Sequence, residues 1–223
     1  MTRKFNPSAL SPKDLAKHLR QPDGEIGKQI GLEMNKSNLH ICINSYKVLA
    51  VENNNHILEI GMGNGFYIKD LLKMAENLRY TGIDFSHTML SEAKEINKKF
   101  IAKAQVNLKQ ASIEALPFPD NTFDCITTTN TIYFWPHPEK NIKELFRVLK
   151  TGGKLLLAYR TKSCMDQLEL AKHGFEKYES KDVEVLLENA FFKKVHTQII
   201  KEPALEFDQK TFQMNGIYTS AIK

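Results

Sequence analysis

The sequence has few cysteines and no motif that would pair them or use them to bind a metal. Cys42, Cys125 and Cys164 are the three cysteines among 223 residues, and they are far apart with no C-x-x-C spacing. An odd, scattered set argues against a disulfide framework and a cysteine-rich zinc site, and it favours a reducing compartment. The histidines show no H-x-x-x-H spacing either. We therefore expect a cytoplasmic protein without a bound metal.

Long apolar runs are also missing. Residues 155–159 form one of the longest, far short of the ~20 residues that a membrane-spanning helix needs. The opening MTRKFNPSALSPKDL lacks the apolar stretch of a secretory signal. The formal net charge of +5 is spread along the chain, with no arginine-rich run. This mixture indicates solvated helix faces. We expect no membrane or nucleic-acid partner, and the oligomeric state stays open.

Short apolar runs alternate with longer amphipathic stretches, as is typical of an α/β fold with a parallel sheet. The helix that follows Pro138 is predicted to end at Gly152 and Gly153, because glycine tolerates the left-handed conformation there. Residues 1–54 precede the sheet as a mainly helical extension, and residues 55–223 form the sheet domain. About seven strands are predicted, at residues 56–60, 80–84, 105–109, 123–129, 154–159, 195–200 and 213–222.

The first predicted strand runs directly into a glycine-rich turn, EIGMGNG at residues 59–65. A strand, such a turn and a helix together let the backbone approach a ligand and point N–H groups at it. The dinucleotide fingerprint G-x-G-x-x-G would need a third glycine where the chain has Phe66. A tight turn needs glycines for backbone reasons alone, so the loop by itself leaves its role open.

Asp84 strengthens the functional interpretation of this loop. It ends the next predicted strand, about twenty residues further on, where an acid can accept hydrogen bonds from both hydroxyls of a ribose. The alternative is an exposed carboxylate at a strand end. Together, the loop and Asp84 predict an adenosine-type ligand at the carboxyl ends of the strands.

Four motifs in order resemble the class I S-adenosylmethionine (SAM)-dependent methyltransferases, and most of all their small-molecule type 11 branch. They are EIGMGNG, GIDFSHTML, IEALPFPDNTFDCI and LFRVLKTGGKLLLA, and the resemblance is strong over residues 55–160. It implies an α/β, three-layer Rossmann-like fold. Its seven-stranded sheet would have the order 3-2-1-4-5-7-6, with the last strand antiparallel. It also implies SAM as the methyl donor and S-adenosylhomocysteine as the product.

The resemblance further implies which residues bind the cofactor. Asp84 would hold the ribose hydroxyls, and Phe85 and Met89 would flank the adenine. Many relatives have an acid for the adenine amino group where this chain has Ser112, a departure from the pattern. The full implied set is Glu59, Gly61, Met62, Gly63, Gly65, Asp84, Phe85, Met89, Ser112, Ile113, Thr129 and Asn130.

The acceptor site is less clearly marked. Tyr133 and His137 are candidate catalytic groups, although the favoured interpretation of Tyr133 and its aromatic neighbours is that they pack the following helix. SAM is already activated, so catalysis is largely positioning, and no catalytic residue is assigned. Residues 130–133 (NTIY) lack the prolines of DNA amino-methyltransferases. This difference argues against a DNA base as the acceptor, and the small-molecule acceptor is what the resemblance implies.

Residues 20–46 are a candidate lid over the cofactor, with Arg20, Asn35 and Tyr46 as polar contributors. The alternative is that this segment packs against the back of the sheet. The sequence thus predicts a small-molecule methyltransferase. Two alternatives remain. One is a catalytically silent SAM-binding module or partner subunit. The other is an NAD-type oxidoreductase, which shares the fold, although its fingerprint needs glycine where this chain has Phe66.

Overall fold

A computed structural model describes residues 10–207 and 210–223 of the chain. The helices of this part of the chain alternate with strands from residue 56 onward, as the patterning predicts. The helices are α1 (Pro12–Arg20), α2 (Gly24–Ser37), α3 (Leu39–Leu49), α4 (Ile68–Leu71), α5 (His87–Ile96), α6 (Lys98–Ala102), α7 (Pro138–Val148), α8 (Lys162–Asp166) and α9 (Ser180–Asn189), with 3-10 turns at Ile132–Phe134 and Glu169–Lys172.

The main sheet has seven strands in the order β3-β2-β1-β4-β5-β9-β6. Its last strand, β9, runs antiparallel to both β5 and β6, whereas the other neighbours are parallel. Because β7 and β8 form a separate hairpin, β9 is the seventh strand of the sheet, and the predicted order is confirmed. The strands are β1 (His56–Ile60), β2 (Arg79–Asp84), β3 (Val106–Gln110), β4 (Phe123–Thr129), β5 (Leu149–Arg160), β6 (Lys193–Lys201), β7 (Leu205–Phe207), β8 (Lys210–Phe212) and β9 (Asn215–Ile222).

The predicted end of the helix before β5 was wrong. Helix α7 ends at Val148, and Leu149 already has extended backbone angles (φ −76°, ψ 138°). Gly152 and Gly153 therefore lie inside β5, where the pairing register with β4 shifts between Phe123 and Cys125. The glycines fit an irregular strand start as well as a helix end, so the sequence pattern favoured the wrong element.

Apolar side chains cover both faces of the sheet, with a core cluster on each side. In β1, Leu58 and Ile60 belong to one cluster and Ile57 to the other. Because side chains alternate along a strand, Glu59 points to the same side as Ile57. Helix α3 packs on this face, against β4 and β5. A carboxylate is therefore buried on a face whose core cluster is mainly apolar.

The N-terminal helices reach the carboxyl ends of the parallel strands. Helix α2 contacts α5, and it approaches closely at Gly31, where a Cβ would lie 3.0 Å from the Met89 Cε atom. Since β6 points the same way as β5, the β7–β8 hairpin that follows β6 lies at this edge of the sheet too. No helix in the described segments is long and apolar enough to cross a membrane.

Candidate functional site

A cavity of about 240 Å³ opens at the carboxyl ends of the strands, and every residue implied as cofactor-binding lines it. Its walls come from the glycine loop, the ends of β2 and β4, and the N-terminal helices. The implied residues brought together here are Glu59, Gly61, Met62, Gly63, Gly65, Asp84, Phe85, Met89, Ser112, Ile113, Thr129 and Asn130.

The glycine loop has the backbone conformation that requires glycine. Gly61, Gly63 and Gly65 have φ values of 70°, 57° and 65°, which L side chains adopt only with strain. The Gly61 N–H donates to the Ile83 carbonyl at 2.8 Å, which fixes the loop against β2. A Cβ on Gly61 would lie 2.4 Å from the Thr131 Cγ2 atom, whereas one on Gly63 would meet nothing within 4 Å. The middle of the loop therefore leaves space for a ligand.

Asp84 lies beside the loop and is held by backbone donors. The Gly63 N–H donates to its Oδ2 atom at 2.9 Å, and the Ser86 N–H donates to Oδ1 at 2.8 Å. Burial raises the pKa of the Asp84 carboxyl to about 6, although these two N–H groups oppose the rise. An ionised carboxylate has about four acceptor sites, so lone pairs remain for further donors such as hydroxyls.

Glu59 lies at the floor of the cavity, where two phenols hold its carboxylate. The Tyr80 hydroxyl donates to Oε2 at 2.7 Å, and the Tyr46 hydroxyl donates to Oε1 and Oε2 at 3.2 and 3.0 Å. The side chain of Glu59 is 5% exposed. Burial raises its pKa, and the two hydroxyls lower it. Among the described residues, no lysine, arginine or histidine is joined to this carboxylate by an ion pair.

The predicted adenine side combines an exposed ring with buried packing. Phe85 is exposed, and Met89 is buried beneath α2. The Ser112 hydroxyl donates to the Glu114 Oε2 atom at 3.2 Å, and both residues line the cavity. Glu114 thus brings a carboxylate next to the position where the resemblance expects an acid. Sequence reasoning passed over this residue, although it lies within the quoted motif IEALPF.

Asn130 connects the loop after β4 to the N-terminal helices. Its amide donates to the Asn38 Oδ1 atom at 3.1 Å, and its own Oδ1 atom accepts from the Tyr133 hydroxyl at 3.2 Å. Tyr133 is buried behind the loop, His137 is exposed, and neither lines the cavity. Phe134 and Trp135 line it instead. The structure therefore does not bring the two candidate catalytic groups to the cavity.

The proposed lid residues lie at the wall of the cavity. Arg20, Asn35 and Tyr46 all line it, as do other residues of α1, α2 and α3. Helix α2 is anchored near its start, where the Gly24 N–H donates to the Thr88 hydroxyl at 3.1 Å. Near its end, the Asn35 carbonyl accepts a hydrogen bond from Tyr67. These contacts join the N-terminal segment to Tyr67, just after the glycine loop, and to α5.

A buried ion pair between Arg160 and Glu202 was not predicted from the sequence. Their side chains are 5% and 2% exposed, and the Tyr218 hydroxyl also donates to Glu202, at 3.0 Å. An Arg160 N–H reaches the Ser37 carbonyl at 3.4 Å. The pair thus links the end of β5 to the base of the β7–β8 hairpin and to α2. No local signal reveals it, because the partners are far apart in sequence.

Cys42 is not suited to act as a nucleophile. It lines the cavity, but burial and the nearby Glu59 carboxylate raise the pKa of its thiol. Since the thiolate is the reactive form, Cys42 stays protonated near neutral pH. Among the described residues that line the cavity there is also no histidine. The polar groups of the described lining are therefore suited to positioning a ligand.

Comparison with known proteins agrees with this arrangement. The sequence profile of a family described as "Methyltransferase domain" matches residues 58–157. An uncharacterized methyltransferase, YdaC of Bacillus subtilis, is 35% identical over 107 residues, which are 48% of this chain and 56% of that protein. The ubiquinone/menaquinone biosynthesis C-methyltransferase UbiE of Salmonella arizonae is 33% identical over 120 residues, 53% of this chain and 48% of UbiE.

A solved SAM-dependent methyltransferase from Aquifex aeolicus shares the fold. Its TM-score is 0.62 with 24% identity, and the alignment covers 98% of this chain and 100% of that one. At this level of identity the likeness shows a shared fold, a seven-stranded sheet of the Rossmann-like type. The match to the family model named above covers residues 58–157, less than half of the 223 residues. The chain spans about half the length of the curated relatives described here.

Proposed function

We propose that this protein is a SAM-dependent methyltransferase that acts on a small-molecule acceptor. The supporting observation is that the glycine loop, Asp84 and Glu59 line one cavity. Their chemistry fits the donor. The open space at Gly63 accommodates the nucleoside, and the carboxylate of Asp84 accepts from ribose hydroxyls. Glu59 offers a carboxylate to the amino-acid end. Bound SAM supplies an activated methyl group, so the protein's main task is to orient the acceptor and exclude water.

The acceptor would lie between the N-terminal helices and the loop after β4. Phe134 and Trp135 supply an aromatic wall, and the Trp135 ring is fixed by a hydrogen bond from its Nε1 atom to the Thr131 hydroxyl at 3.1 Å. Asn35 and Asn38 supply polar edges opposite. Aromatic walls with few polar groups are typical of small-molecule pockets. We propose that residues 20–46 act as the lid that excludes water here.

Two measurements test this function. Calorimetry should detect binding of S-adenosylhomocysteine, and absence of binding would refute the proposal. Incubation with SAM labelled in its methyl group and a metabolite extract should then give labelled products by mass spectrometry. Binding without any transfer would instead favour the alternative of a catalytically silent SAM-binding module.

The site favours the methyltransferase proposal over an NAD-type oxidoreductase. Phe66 stands where the dinucleotide fingerprint needs glycine, and its side chain lines the cavity and packs edge-on against Tyr67 with ring centres 5.1 Å apart. A thermal-shift comparison separates the two ligands. S-adenosylhomocysteine should raise the melting temperature, and NAD should not.

A further inference from the structure

The environment of Glu59 is unusual for a carboxylate. It lies in the middle of the sheet, paired in register with Gly82 on one side and Thr127 on the other. The apolar cluster on its face includes Ile57, Leu71 and Leu156. Burying a charge in such a place is costly unless it is hydrogen-bonded or paired. The hydrogen bonds that reach Glu59 therefore decide how it can act.

Strand β2 brings the first phenol to Glu59 by means of a glycine. Tyr80 is paired in register with Ile57 and precedes Gly82 by one full strand repeat, so their side chains share a face. A Cβ on Gly82 would lie 2.8 Å from the Tyr80 Cε1 atom and 3.0 Å from its hydroxyl. The missing side chain thus lets the ring lie across the strand, with its hydroxyl 2.7 Å from Glu59.

Helix α3 brings the second phenol from the N-terminal segment. Tyr46 is 2% exposed, and its hydroxyl is shared between both oxygens of Glu59. Burial and the nearby carboxylate raise the pKa of both Tyr46 and Tyr80 well above the ordinary tyrosine value. Both phenols therefore remain protonated, and each has its single O–H directed at Glu59.

We propose that Tyr46 and Tyr80 are positioning residues that hold the Glu59 carboxylate as the acceptor for the ammonium group of the bound donor. This inference rests on the proposed function. Because each phenol has only one proton, both are committed to the same carboxylate, which is fixed in orientation before the ligand arrives. Its remaining lone pairs favour a cation, which the donor carries at its amino-acid end. Helix α3, which carries Tyr46, then completes the binding site for the donor.

The test compares two ligands that differ at that end. S-adenosylhomocysteine carries the ammonium group, whereas 5′-methylthioadenosine has the same nucleoside without the amino acid. Calorimetry on the full-length Tyr80→Phe and Tyr46→Phe variants should show S-adenosylhomocysteine affinity lowered about tenfold, because a hydrogen bond to a charged group is lost. Affinity for methylthioadenosine should change less than about twofold in the same variants.

A matched control is Tyr159→Phe. This buried phenol is paired with the Thr219 hydroxyl at 3.1 Å and belongs to the core cluster on the other face, so its loss should leave the ratio of the two affinities unchanged. Glu59→Gln keeps the side-chain shape and should lose the preference for S-adenosylhomocysteine. The ratio of the two affinities in Glu59→Gln also tests the inference if a tyrosine variant fails to fold.

Equal losses for both ligands in the tyrosine variants would overturn the inference and show a structural role only. An unchanged ratio in Glu59→Gln would overturn it as well. If the wild-type protein binds methylthioadenosine and S-adenosylhomocysteine but the variants keep the ratio, only the inference fails. If the wild-type protein binds neither ligand, the proposed function fails.

Discussion

Asp84 should make the affinity for a ribose-containing ligand depend on pH. Its carboxylate can accept hydrogen bonds from two hydroxyls only when it is ionised, and burial raises its pKa to about 6. For a group with that pKa, the ionised fraction is about 0.9 at pH 7 and about 0.1 at pH 5. The affinity for methylthioadenosine should therefore fall about tenfold between pH 7 and pH 5.

Methylthioadenosine is the right probe because it lacks the ammonium group that we assign to Glu59, so the titration reports on Asp84. Calorimetry across this range on the wild-type protein is compared with Asp84→Asn. The amide cannot ionise, so this variant should bind more weakly at pH 7 and show a flat profile. A wild-type affinity that is the same at pH 5 and pH 7 would refute the reasoning.

The Asp84 carboxyl affects the stability of the fold in the opposite direction: ligand affinity should rise with pH, whereas the free energy of unfolding should fall. Its pKa rises from 3.8 in the unfolded chain to about 6 in the folded one. The stability it contributes is fully present below about pH 4 and is lost as pH rises through about 6, on the order of 2–3 kcal/mol. Without ligand, Asp84→Asn should therefore raise the free energy of unfolding at pH 7, as measured by urea denaturation.

Other predictions concern the glycine loop and the buried ion pair. Gly63→Ala should cost about 1–2 kcal/mol in urea denaturation because of its positive φ alone. Gly61→Ala should cost more, since its Cβ also meets Thr131 at 2.4 Å; equal costs would contradict this packing. Glu202→Gln should cost roughly 3–5 kcal/mol, because it leaves the buried Arg160 guanidinium without a countercharge. A loss below about 1 kcal/mol would show that the pair is not buried as described.

The glycine loop and Asp84 could be predicted because each is marked by residues that are neighbours in the sequence. A strand that ends in glycines, followed by another that ends in Asp84, specifies a turn and an acid at one edge of a parallel sheet. The strand order could also be predicted, because the resemblance to class I methyltransferases implied it. The cofactor-binding roles of the individual residues remain predictions, although the residues lie together around the cavity.

The long-range parts could not be predicted. Tyr46 was expected to be a polar contributor to the lid, and its hydrogen bonds with Glu59 depend on how α3 packs across the sheet. The Arg160–Glu202 pair and the β7–β8 hairpin likewise depend on tertiary contacts. Gly152 and Gly153 led to a wrong prediction of where α7 ends, because glycine suits both a helix end and an irregular strand.

The position of β9 has a consequence for the order in which the sheet can form. In the main sheet, β6 is hydrogen-bonded only to β9, and β9 fills the space between β6 and β5. During synthesis, β6 is made before β9 and cannot pair with the sheet until residues 215–222 have been added. The half of the sheet that carries the glycine loop and Asp84 can thus assemble early, from β1 to β5. The side of the sheet that contains β6 is completed only when β9 has been synthesised.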